Sequence, residues 1–178
     1  MADEKKEPWL NYLALTTVIL AVCATLSTFK GGSFSTRSVI TQAQASDQWA
    51  YYQAKSIKSN LYEMERDRLQ LALDNLPPQV EPTVRERYAK TLQQAAERAA
   101  RYNQERKDIE QKARTLEAER DSAQRQGKPF GMAVIFLQVA ILISSIAGLF
   151  KKKAVWLAAL PVALLGLVFF VDGFFLFF

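Results

Sequence analysis

Apolar and polar positions are segregated along this chain of 178 residues. Trp9 to Phe29 carries no charged side chain, Phe130 to Phe150 is a second such run, and beyond Lys151, Lys152 and Lys153 a third extends from Ala154 to about Val171. A helix of about 20 apolar residues crosses the roughly 30 Å hydrocarbon core of a bilayer. The pattern therefore predicts three transmembrane helices, at 9–29, 130–150 and 154–172. They are flanked by a short tail over 1–8, a basic loop at 151–153 and a phenylalanine-rich tail over 173–178. Between the first two spans lies a long polar stretch whose periodicity is helical.

Gly31 and Gly32 are expected to break the first helix, making 30–37 a hinge. From Ser38 to Leu76 there is no glycine or proline, and Ala50, Ala54, Ile57, Leu61, Met64 and Leu71 recur in alternating steps of four and three, with Arg68 interrupting. That is the a/d spacing of a coiled coil. Leu76-Pro77-Pro78 and Glu81-Pro82 stop it, because proline lacks an amide donor and disfavours helical geometry in the residue before it. A second helix starts near Pro82-Thr83, with Glu86 placed for a capping box. Ala95, Ala99, Tyr102, Ile109 and Leu116 keep the same alternation up to Gly127 and Pro129, which are expected to end or kink it. The region 38–126 thus reads as an antiparallel helical hairpin, with arms at 38–76 and 83–126 and a tip at 77–82. Folding at the tip pairs Met64 with Ala95, Leu61 with Ala99, Ile57 with Tyr102, Ala50 with Ile109 and Ala43 with Leu116, large against small. The fold class is all-α. At 1.5 Å per residue the arms are roughly 55 to 60 Å long.

Charge adds an orientation. The net charge of +5 comes with both signs interspersed along the polar helices, which is a solvated face rather than a nucleic-acid surface. Short basic loops resist translocation, whereas loops longer than about 60 residues cross largely regardless of charge. Lys5, Lys6 and Lys151 to Lys153 therefore belong on the cytoplasmic side, which places the hairpin and the C-terminus across the membrane, in the periplasm of a bacterium. Lys30, Arg37, Arg125 and Lys128 pull the other way. The N-terminal run is too long for a signal peptide and lacks a cleavage site, so it reads as an uncleaved anchor. Cys23 is the single cysteine. Val22 occupies the position where a lipoprotein acceptor site needs a small residue, so Cys23 reads as a packing residue.

Candidate chemistry lies in contacts. The chain has no histidine, and neither a nucleophile elbow, a phosphate loop nor a zinc-ligand spacing occurs, so the sequence points to no catalysis, cofactor or metal. In the cluster of Trp49, Tyr51, Tyr52 and Tyr62, Ala50 and Ala54 take the predicted seam, so Trp49 and Tyr52, with Tyr51 beside them, are expected to point elsewhere. Exposed helical aromatics mark subunit or partner docking; packing against the second arm or lipid headgroups is the plainer reading. Arg106 and Arg120 fall on seam positions, where they snorkel or set oligomer state. In the spans, Thr17, Ala21 and Thr25 form one small-residue face and Ala140, Ser144 and Gly148 another, suited to close helix packing. Gln138 lies about a third of the way into the second span and Asp172 near the end of the third, and neither alone makes an ion path.

Trp9-Leu10-Asn11-Tyr12-Leu13-Ala14-Leu15-Thr16-Thr17, Leu26-Ser27-Thr28-Phe29-Lys30-Gly31-Gly32 and Gln44 to Lys55, including Asp47-Gln48-Trp49-Ala50-Tyr51-Tyr52, resemble a bacterial membrane family, domain of unknown function 4337. The likeness covers most of the chain and is strongest from Trp9 to about Tyr62. It implies a bacterial inner-membrane protein and brings no activity or functional residues with it. The expectation is a non-catalytic scaffold or accessory subunit, a homo-oligomer or part of a larger membrane complex, with the lipid bilayer as its other partner. The alternative is a component of an oligomeric channel or transporter, lined by residues such as Gln138. A signal-transducing stalk is a third reading, with little cytoplasmic sequence to carry an output.

Overall fold

The computed structural model describes residues 8–176 as three helices: α1, Pro8–Asp74; α2, Pro82–Leu149; and α3, Lys153–Phe175. No strand occurs among the described residues. Each helix contains a stretch long and apolar enough to cross a membrane. The tail residues Lys5 and Lys6, and Phe177 and Phe178, lie outside the described residues.

Two predicted breaks are helical instead. α1 continues through Gly31 and Gly32, so the segment 30–37 is not a hinge, and α2 continues through Gly127 and Pro129. A helical glycine costs about 1 kcal/mol relative to alanine, an amount that packing can offset. Here the packing is visible: a Cβ on Gly31 would sit 3.2 Å from the Phe130 Cβ, and one on Gly127 would sit 3.3 Å from the Phe34 Cβ. These glycines are notches that let α1 and α2 approach. The third helix also outruns its expected end at 172, reaching Phe175 with Leu176 as a left-handed cap.

The connections follow from local chemistry. Pro82 opens α2 at the first helical position, where a missing amide hydrogen costs nothing. Thr83 Oγ1 donates to the Glu81 carboxylate at 3.2 Å, rather than capping the helix together with Glu86. Between α2 and α3, the Lys152 amide donates to the Ala147 carbonyl at 3.1 Å and the Lys151 amide to the Gly148 carbonyl at 3.3 Å. With Lys151 at φ 49°, this is a Schellman ending with lysine where glycine is usual.

The chain forms two compact units. Among the described residues, one comprises 8–40 and 119–176. Its core is Leu20 and Ala24 of α1, Ala133, Leu137 and Ala140 of α2 and Ala163 of α3, joined by Phe169 and Phe170. The small side chains bring the helices close, and Leu137 lies over Gly166, where a Cβ would come within 2.8 Å of its Cγ. Ser27 and Ser144 are buried too. Ser27 satisfies its hydroxyl on the Cys23 carbonyl at 2.8 Å, as a helical serine in an apolar setting must.

The other unit is residues 41–118. Its two segments contact each other with opposite chain sense: Trp49 meets Glu117, Lys55 meets Glu105 and Glu63 meets Asn103. On α2 the inner face is Ala95, Ala99, Ile109 and Ala113, all buried, with Tyr102 and Leu116 half-buried. On α1 the predicted face is the wrong one. Ala50 and Ala54 are exposed, as are Ile57 (62%), Leu61 (54%), Met64 (61%) and Leu71 (63%). The inner face instead runs through Thr41, Ala45, Gln48, Tyr52, Lys55, Ser59 and Tyr62, again in steps of four and three. The reason lies across the interface, where small alanines leave room for long side chains and Glu105, Glu117 and Asn103 supply partners for their polar ends.

Candidate functional site

The aromatic cluster sits inside the 41–118 unit, so the expectation that Trp49 and Tyr52 point away from the seam does not hold, and Trp49 and Tyr62 meet α2 instead. Trp49 Nε1 donates to Glu117 Oε1 at 3.0 Å, its ring meets Tyr52 edge-on with centroids 5.4 Å apart, and the Arg114 guanidinium lies 5.9 Å from its ring. Tyr62 stacks on Tyr102 at 5.5 Å, and Arg98 donates to its hydroxyl at 3.5 Å. Arg106, a predicted seam charge, donates to Ser56 Oγ at 3.4 Å and lies 5.8 Å from the Tyr52 ring. Of the four aromatics, Tyr51 alone is exposed.

Lys55 is the centre of this arrangement. Its ammonium pairs with the Glu105 carboxylate and lies 5.2 Å from the Tyr51 ring centre and 5.1 Å from that of Tyr102. The hydrogen bond from Lys55 holds the Glu105 carboxyl below its ordinary range, and the same bond holds the Lys55 ammonium above its own. The bond favours the charged form of both groups. The arrangement fixes the rotation of α1 against α2, and a cation ringed by acceptor and π faces is a positional lock.

What that lock leaves outside is an apolar ladder. Ala43, Ala50, Ala54, Ile57, Leu61, Met64 and Leu71 lie on a face of α1 nearly opposite to Ser59 and Tyr62, every one of them exposed. Asp47 and Arg68 fall on the same ladder.

In the other unit the small-residue faces part company. Ala140 and Ser144 are buried, and Gly148 faces Leu13, whose Cδ2 lies 3.7 Å from where its Cβ would be. Ala21 and Thr25 are exposed and Thr17 is half-buried; α1 turns Leu20, Ala24 and Ser27 inward instead. Thr17 and Thr25 hydroxyls are satisfied by their own helix, on the Leu13 and Ala21 carbonyls. Gln138 is exposed, and among the described residues no hydrogen bond reaches its amide. Asp172 is buried at 2%.

Where the apolar runs of α1, α2 and α3 meet polar sequence, Phe130 is the hub. Its ring stacks on Phe34 at 6.0 Å, meets Phe174 edge-on at 5.2 Å, and lies where a Gly173 Cβ would be, at 2.8 Å. Lys30 lines one groove with Phe130, beside Phe34 and Phe174, and Lys128 another; Lys128 also lines a groove with Arg125, floored by Met132 and Phe169. Sequence reasoning treats these cations only as orientation signals. Their spacing at the foot of an apolar run is the signal that could have marked them.

Among the described residues no cluster of three metal-ligating side chains occurs. A family model described as domain of unknown function, DUF4337, matches residues 9–176. No curated protein and no solved structure matches the chain.

Proposed function

Since the chain belongs to the DUF4337 family, whose description carries no activity, we propose from its geometry that it is a non-catalytic membrane scaffold acting by self-association. In this reading the three apolar stretches span a bacterial inner membrane, and 41–118 is the core of a helical hairpin inserted between the first two. The N-terminus and Lys151 to Lys153 lie in the cytoplasm, and the hairpin in the periplasm.

The observation that carries the proposal is the exposed ladder on α1. Its spacing is that of a coiled-coil seam, and none of the described residues covers it. Two copies anchored in one membrane meet in parallel, which aligns each rung with itself. Asp47 then faces Asp47 and Arg68 faces Arg68, so pairing is strongest from Ala50 to Met64. Burying each large rung is worth about 1 to 2 kcal/mol, and confinement to a membrane reduces the entropic cost of association.

The test is disulfide trapping in a Cys23→Ala background. Cysteine at Leu61 is expected to join two copies on mild oxidation, and cysteine at Ser59 is not. Monomers from the Leu61 variant, together with a single-chain mass in native mass spectrometry, would remove the proposal.

Gln138 favours a second reading, a pore-forming assembly. An exposed amide in an apolar helix is costly in lipid and is satisfied by a neighbouring subunit or by water. Ion flux in liposomes that Gln138→Leu abolishes would support that reading over the scaffold.

A further inference from the structure

We infer that the groove between α2 and α3 beneath Arg125 and Lys128 seats the phosphate of an anionic phospholipid, with an acyl chain over Met132 and Phe169. Arg125 lies three and four residues before Lys128 and Pro129, and Met132 lies four and three residues after them, so the four occupy one face of α2. Along that face two cations give way to apolar surface, and Phe169 and Leu176 close the groove from the side of α3. Its volume is about 470 Å³, enough for a headgroup and the first carbons of a chain. The order of the lining, charge first and then apolar floor, matches the order of groups in a phospholipid.

The cations are available. The acids of the neighbouring turns are engaged elsewhere, Glu119 with Arg37 at 3.6 Å and Asp121 with Arg120 at 2.8 Å. Among the described residues neither Arg125 nor Lys128 has an ion pair. Ser122 and Gln126 on the same wall add hydrogen-bonding groups. Pro129 adds an acceptor, because it has no amide hydrogen to offer the Arg125 carbonyl one turn back. A headgroup bearing hydroxyls, such as phosphatidylglycerol, can donate to that carbonyl while its phosphate meets the cations. Asp172 also lies on the wall, but at 2% exposure it presents almost no surface to a ligand. Lys30 lines the adjoining groove, a third cation close to Arg125 and Lys128.

Each cation lining the groove strengthens binding of an anionic lipid seated there about five-fold, so Arg125 and Lys128 together contribute about 25-fold, and cations outside the lining do not share in it. The site needs only one chain, so it stands or falls apart from the pairing of copies. The full-length protein in mild detergent is titrated with phosphatidylglycerol, phosphatidylcholine or inorganic phosphate, and bound lipid is read by native mass spectrometry. Phosphatidylglycerol is expected to be retained on the single chain and phosphatidylcholine washed off. Arg125→Gln with Lys128→Gln is expected to weaken retention on the order of 25-fold, while Lys152→Gln with Lys153→Gln changes it less than about two-fold. Met132→Trp, which fills the floor and leaves both cations in place, is expected to lower retention as well. This second variant keeps the question open to test if the double substitution fails to fold. Unchanged retention in the folded double variant or in the folded Met132→Trp variant, equal retention of phosphatidylcholine, or complete displacement by inorganic phosphate would each overturn the inference.

Discussion

At the scale of single residues, glycine packing makes the sharpest demand. A Cβ on Gly166 would lie 2.8 Å from Leu137 Cγ and 3.0 Å from its backbone nitrogen, so something must move, and backbone does not yield cheaply. Gly166→Ala is expected to destabilise the 8–40 and 119–176 unit by about 1 to 3 kcal/mol, the usual range for overpacking. Gly32 is the internal control, since a Cβ there meets nothing within 4 Å. Gly32→Ala is expected to be neutral or to stabilise by up to about 1 kcal/mol through helix propensity. Thermal unfolding of the two variants side by side checks both. Lys55 and Glu105 make a second demand, in pH. Glu105 is held below its ordinary carboxyl range, so its contribution is complete above that range and is lost as pH falls through the lowered value. Lys55 is held above its ordinary range, so its share is present below that range and lost only as pH rises through the raised value. Between these limits the pair is silent. In a Trp9→Phe, Trp156→Phe background, Trp49 fluorescence is expected to report a loosening on the acid side, and Glu105→Gln to remove that acid-side step. Persistence of the step in Glu105→Gln would assign it to another carboxylate.

At the scale of the helix, the question is which of two faces of α1 turns inward. Both have steps of four and three, and only one is apolar. Choosing by hydrophobicity alone selects Ala50, Ala54, Ile57, Leu61 and Met64, which the structure leaves in the open. The face that packs is legible only with its partner in view, because Lys55 and Trp49 are satisfied by Glu105 and Glu117, some fifty or more residues away in the sequence. On α2 no such competition exists: Ala95, Ala99, Ile109 and Ala113 form a single apolar face, which periodicity alone suffices to find. The same reasoning covers Gly31 and Gly127. In sequence they read as breaks, and only the rings of Phe34 and Phe130 opposite them explain why the helices continue. The apolar runs are legible because a bilayer demands a length and a composition, not a particular partner. The two faces of α1 also predict opposite outcomes for one substitution type. Leu61→Glu is expected to leave helicity intact and abolish association of copies. Ser59→Glu, at a fully buried position, is expected to lower the unfolding temperature of the unit itself. Circular dichroism and native mass spectrometry on the same samples separate the two effects.

At the scale of the whole molecule, the proposed orientation rests on charge rather than packing. Lys151 and Lys152 sit in the short connection between α2 and α3 and Lys153 opens α3, and Lys151 keeps its place although its left-handed φ of 49° favours glycine. The opposing votes are Lys30, Arg125 and Lys128, at the ends of the first two apolar runs that border the intervening polar sequence. Long polar segments translocate with little regard for charge, so the short loop outweighs them while its lysines are present. Replacing all three with glutamine removes the larger vote and leaves the smaller one unopposed except by the N-terminal lysines. The expected result is a mixed population, with part of the 41–118 unit moved to the cytoplasmic face. A single cysteine at Tyr51, which is exposed, reads this in intact cells through a membrane-impermeant maleimide, in a Cys23→Ala background. Full labelling of the parent and partial labelling of the triple-glutamine variant is the predicted pair of results. Equal labelling of the two would mean that orientation is set elsewhere, leaving the lysine connection a structural ending to α2 and no more.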